Sequence, residues 1–123
     1  MASNKIIGFG PVALGAAAAN IVNPPTLAGG TGLRGTNTNT YVILRHIRIV
    51  NKTGTAATFS LYVGATGGSA AGTEFMGNAT SVAANSYIDW YGLLRLDVAD
   101  FLTGLASGAS TLTFEAEGEL GIA

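Results

Sequence analysis

Three glutamates alternate near the C-terminus. In "TLTFEAEGELGI", residues 111–122, Glu115, Glu117 and Glu119 interleave with Leu112, Phe114, Ala116 and Leu120. The chain is otherwise weakly charged, with seven acidic residues against six basic ones and a single histidine. Such a row could hold a metal ion, supply an acid/base pair or form a docking surface. Period-two alternation places the carboxylates on one side of a strand, about 7 Å apart along it. That is too long for one compact calcium shell of six to eight oxygens at about 2.3–2.6 Å. Gly118 alone does not make the bent loop such a shell needs, and Asp89 would have to come in from another strand. A glycosidase-like pair fits the spacing, since acids about 5–9.5 Å apart can flank a sugar. Any two alternating glutamates satisfy that, however, and an active site also needs a concave pocket and unequal environments for the two acids. The simplest reading is a solvated strand face, with Arg45, Arg48 or Arg95 opposite some of the glutamates in ion pairs worth about 0.2–1 kcal/mol each. The same row could instead meet a second subunit, setting register and partner more than affinity.

The other reactive groups are few. His46 lies in an apolar run with no nucleophile elbow around any serine, and "GATGGSAAG" has no "GKS" or "GKT" with which to cradle phosphate. The absence of cysteine removes disulfides, thiolate nucleophiles and cysteine-based zinc sites. No catalytic, metal-binding or cofactor-binding residue is assigned, and no enzyme activity is expected. In "YIDWYG", Trp90 is a core anchor, while Tyr87 and Tyr91 point to the opposite side, where an interface is favoured over sugar binding. Asn51 in "NKT" and Asn78 in "NAT" match glycosylation sequons, which have meaning only in a secreted chain. No cluster of Lys and Arg points to nucleic acid. No apolar run approaches the ~20 residues that span a bilayer, so a soluble protein is expected.

Positioning these groups calls for strands. The 123 residues suit one domain, and 18 glycines with 48% hydrophobic residues suit short strands joined by tight turns. "YVILRHIRIV" predicts a strand with Ile43, Arg45, Ile47 and Ile49 on one face and Leu44, His46, Arg48 and Val50 on the other. With both faces partly apolar, that strand is central or covered by a partner. "TFSLYVG" predicts the next, joined to it by a hairpin. Residues 65–80 are expected to form a loop with one helical turn near residues 71–75. "SYIDWYGLLRLD" predicts another strand with a bend at Gly92, residues 97–110 a short helical turn or loop closed by Gly104 and Gly108, and 111–122 the closing strand. These patterns argue for an all-β fold, an antiparallel β-sandwich or jelly-roll-like single domain over residues 31–123.

Residues 1–30 hold all three prolines and little charge, and are expected to form an extended N-terminal arm. Within it "KIIGF" and "ANIV" could pair with a sheet. The start can also be read as a secretory signal, but Gly8, Gly10, Pro11 and Gly15 interrupt its apolar run. The arm is expected to carry contacts to a neighbour through Ile6, Ile7, Phe9, Val12, Leu14, Ile21 and Val22. The body is expected to add Arg45, Arg48, Tyr87, Tyr91 and the three glutamates.

The segments "LRHIRIVNKTGTAATFSLYVGATGG", "AAGTEF", "SVAANSYIDWYGLLRLD" and "DFLTG", followed by the closing strand, give the stretch of about residues 40–122 a recognisable order. It resembles small structural proteins of tailed-bacteriophage particles, in particular the β-sandwich decoration or cement proteins. The resemblance implies a non-catalytic homo-oligomer, often a trimer, made in the host cytoplasm and seated on the capsid exterior. There it would clamp neighbouring copies of the major capsid protein. The other binding role left open is a tail or receptor-binding module that grips a surface glycan through Tyr87, Tyr91 and residues 64–80.

Overall fold

The computed structural model describes residues 5–22, 40–64, 72–96 and 100–122. Every regular element among them is a strand. These are β1 (Lys5–Ala13), β2 (Ala19–Val22), β3 (Thr40–Asn51), β4 (Ala57–Gly64), β5 (Glu74–Val82), β6 (Ser86–Leu96), β7 (Phe101–Ala106) and β8 (Leu112–Ile122). They form two antiparallel sheets, in the orders β1-β8-β3-β6 and β2-β7-β4-β5. The pairings β1 with β8, β2 with β7, β3 with β6 and β4 with β5 are those of one long hairpin rolled into a sandwich. This is a jelly roll, and it matches the expected fold class.

Between the sheets lies one apolar core. Alternation on β8 sends Leu112, Phe114, Ala116 and Leu120 inward, while β4 contributes Phe59 and Leu61 and β7 contributes Leu102. Burying each large side chain contributes about 1.5–3 kcal/mol.

β3 is central, as expected, but the residues it turns to the core change parity midway. Its register slips between Leu44 and His46 against both neighbours. Against β8, Arg45 is an extra residue, a β-bulge. Val42 and Leu44 therefore face the core before it, and Ile47 and Ile49 after it. Strict alternation put Leu44 on the wrong side. Gly118 makes the bulge possible, because a Cβ at that position would fall on the carbonyl oxygen of Ile43.

Several other expectations are corrected. β3 and β4 do not form a hairpin, since the chain passes between them from one sheet to the other. Residues 74–80 are not loop but part of β5. Its sequence hides the strand because residues 76–79 bulge away from β4, with Met76, Gly77 and Ala79 all at positive φ. The buried Ser60 hydroxyl holds this excursion, donating to Asn78 Oδ1 at 3.1 Å and accepting from the Ala79 amide at 2.9 Å. Residues 101–106 form the strand β7, with Leu102, Thr103, Gly104 and Ala106 buried.

The expected arm does not stand apart over its described part. Residues 5–22 give β1 to one sheet and β2 to the other, and "ANIV" is the whole of β2. The remainder of residues 1–30 lies outside the described residues.

Candidate functional site

The outer face of the β1-β8-β3-β6 sheet gathers most of the chemistry. Glu115, Glu117 and Glu119 project from β8, as alternation requires. In register beside them on β3 stand Arg48 opposite Glu115 and His46 opposite Glu117. From β6 come Tyr87, Asp89, Tyr91 and Leu93.

Asp89 is the hub of the network. It accepts hydrogen bonds from Arg48 Nε at 2.8 Å and Nη2 at 3.2 Å, and its Oδ1 lies 2.8 Å from His46 Nε2. The Arg48 hydrogen bond, then that of His46, holds its carboxyl well below the usual carboxylate range, at about 2. In return Asp89 raises the pKa of the Arg48 guanidinium. The other ring nitrogen of His46 lies 3.3 Å from Glu117 Oε1. Tyr91 stacks on the His46 ring at 4.6 Å and 12°, and Arg48 lies 4.6 Å over the ring of Tyr87. Arg45, set outward by the bulge, pairs with Glu119, and Arg95 lies 4.4 Å over the Tyr41 ring.

The geometry narrows what this face can do. Glu117 and Asp89 take opposite ends of the His46 ring, so the three groups do not converge on one ion. No group of metal-ligating side chains occurs among the described residues. Two shallow depressions flank Glu117. One, of about 400 Å³, is lined by Gly8, Phe9, Gly10, Arg48 and Glu115 among others. The other, of about 560 Å³, is lined by Ile6, Arg45, Tyr91 and Glu119 among others. Both contain His46 and Glu117 and lie open on a sheet surface. Charge pairs and ring faces spread over a broad surface suit contact with another macromolecule.

Of the residues expected at an interface, Glu115, Glu117, Glu119, Arg45, Arg48, Tyr87 and Tyr91 share this one face. Ile6 joins them at 87% exposure and Val12 lies on the same edge strand. The expectation fails for Leu14 and Val22, both core residues at 2% exposure, and for Phe9 and Ile21, which pack against the core. Their strands belong to this chain's own sheets, so their apolar sides are already covered. The side chain of Ile7 lies outside the described residues. Sequence reasoning did not place His46 or Asp89 in the charge network, because pairing across β3 and β6 depends on a register that no local pattern announces. Leu93, at 68% exposure, was missed although it continues the Tyr87, Asp89, Tyr91 alternation.

Asn51 is not a usable sequon. It is 1% exposed, donates to the carbonyls of Thr55 at 2.9 Å and Val82 at 3.1 Å, and accepts from the Thr53 amide and hydroxyl. The link to Val82 joins the two sheets at one corner.

No family model and no curated protein matches the sequence. Solved structures do match the fold. The Desmodium yellow mottle tymovirus structure aligns with a TM-score of 0.55 at 11% identity, over 99% of this chain and 86% of that one. The Tobacco streak virus coat protein dimer aligns at 0.46 and 11% identity over 97% and 85% of the two chains. The extra small virus VLP of the giant freshwater prawn Macrobrachium rosenbergii aligns at 0.44 and 6% identity over 98% and 78%. The last two superpose too loosely to carry an argument. At 11% identity the first establishes a shared jelly-roll fold, end to end, and nothing finer.

Proposed function

We propose that this chain is a virion structural protein without catalytic activity, one that binds the outer surface of a capsid as a homo-oligomer and stabilises the shell. The observation that carries this reading is the eight-stranded jelly roll, superposed over nearly its whole length on a viral structure. Jelly rolls also build lectins and cupins. A cupin role calls for an enclosed ligand site, whereas the polar groups here lie across an open sheet. The resemblance to tailed-phage decoration proteins supports the outer-surface placement and a major capsid protein as the partner. The exposed Tyr91, backed on one ring face by His46, favours the alternative of a tail module that recognises a surface glycan.

The test is co-sedimentation of the purified chain with undecorated capsids, beside electron microscopy of the chain alone. Saturable binding at a fixed copy number per shell is the expected result. Closure of the chain into shells by itself would replace decoration with a coat role. The absence of both particle binding and shell assembly would overturn the virion reading, and selective capture on a glycan array would favour the alternative.

A further inference from the structure

The same outer face is ordered in rows, and the order is self-complementary. β1 presents the exposed Gly8 and Gly10 between Ile6 and Val12; β8 is acidic; β3 carries Arg45, His46 and Arg48; β6 carries Tyr87, Asp89, Tyr91 and Leu93. A two-fold axis laid over this face, parallel to the strands and between β8 and β3, puts β8 of one copy on β3 of the other. It also puts β6 on β1. An axis across the strands would instead set the glutamates against glutamates. The charge pattern therefore selects one of the two arrangements.

Register then fixes the contacts, because residues paired across strands lie at one height and the axis preserves height. Glu115 pairs with Arg48 in register, so it meets Arg48 of the second copy. Glu117 likewise meets His46 of the second copy. Tyr91, His46, Glu117 and Gly8 lie at one height across the sheet. Tyr91 therefore lands on Gly8 of the second copy, at the depression of about 400 Å³ left where that strand lacks side chains. The acidic row has charge to give. Glu117 is 66% exposed, and Glu115 forms no ion pair among the described residues.

We infer that this face binds a second copy of the chain, sheet against sheet, about a two-fold axis parallel to β8 and β3. Facing sheets pack about 10 Å apart with strands within about 30° of alignment, which leaves room for these side chains to interdigitate. Four strands about 4.8 Å apart and about 30 Å long give roughly 500–600 Å² of projected area per copy. That lies at the low end for a specific interface, so the dimer dissociates on dilution. The inference is separate from the virion reading, since the contact forms in solution whatever particle the protein occupies.

The test is analytical ultracentrifugation of the full chain across micromolar concentrations, with folding of each variant checked by thermal melts. Wild type is expected to be a reversible dimer. Glu115→Lys with Glu117→Lys sets like charges face to face and weakens it about 100-fold or more. Gly8→Arg fills the depression and removes the dimer. Its Cβ meets only the Ala116 carbonyl oxygen at 3.9 Å, so the fold tolerates it and it decides the matter if the double variant misfolds. A monomeric wild type, or a folded variant that associates as wild type does, overturns the inference. So does a trimer indifferent to these changes.

Discussion

Asp89 shows how one residue organises a surface. Arg48 and His46 both donate to its carboxylate, and its pKa is held at about 2. A carboxyl depressed in the folded state binds fewer protons there than in the unfolded chain, so its stabilisation is present above the ordinary carboxylate range. It is lost as pH falls from about 4 toward 2. Thermal midpoints measured across that window are expected to drop in the wild type and to change less in Asp89→Asn; equal slopes would remove Asp89 from the account. Asn51 acts through burial rather than charge. Asn51→Ala leaves the buried Val82 carbonyl without its side-chain donor, and an unsatisfied buried group costs about 1–3 kcal/mol. Asn51→Asp keeps the acceptor for Thr53 but loses both donated bonds, so denaturant titration is expected to find it nearly as damaging as Asn51→Ala.

At the scale of elements, the bulge at Arg45 and the glycine at 118 form one device. A Cβ at Gly118 would strike backbone of β3, which cannot turn aside as a side chain can, whereas one at Gly8 meets open space beyond 3.9 Å. Gly118→Ala is expected to cost about 3 kcal/mol or more, at the upper end of overpacking, and Gly8→Ala far less, as chemical denaturation would show. β1 carries the second element-scale prediction. With Leu14 in the core and β1 paired to β8, removing residues 1–14 uncovers the edge of β8 and opens a cavity. Loss of the cooperative melt is expected; a truncated chain that melts as wild type would restore the independent arm. These devices mark the limit of what the sequence discloses. The β8 alternation was legible because one face is wet and the other dry along its whole length. The β3 inversion was not, since Arg45 and His46 are both polar and either could face out. β5 escaped because its excursion at residues 76–79 has the composition of a turn. The charge network was half legible: alternation grouped the glutamates, but joining them to His46, Arg48 and Asp89 required strand neighbours that only the three-dimensional fold supplies.

At the scale of the molecule, the rolled hairpin sets the order in which contacts can form. β4 and β5 are joined by residues 65–73 and are the nearest pair in sequence; β3 with β6, β2 with β7 and β1 with β8 follow at growing separation. Closing β1 on β8 directly from the unfolded chain would require nearly the full loop entropy. If inner pairs form first, each shortens the loop left for the next. Predominantly non-local pairing of this kind folds in milliseconds to seconds rather than microseconds. Within that slow process, side chains of the inner pairs are expected to be engaged in the transition state and those of β1 and β2 to join late. Phe59→Leu on β4 is therefore expected to slow folding, while Val22→Ala on β2 mainly speeds unfolding. Both positions are buried in the same core, so the contrast isolates order of assembly from depth of burial. Chevron analysis reads it directly. Equal partition of the two destabilisations between folding and unfolding rates would show that the sandwich condenses all at once, with no inner hairpin leading.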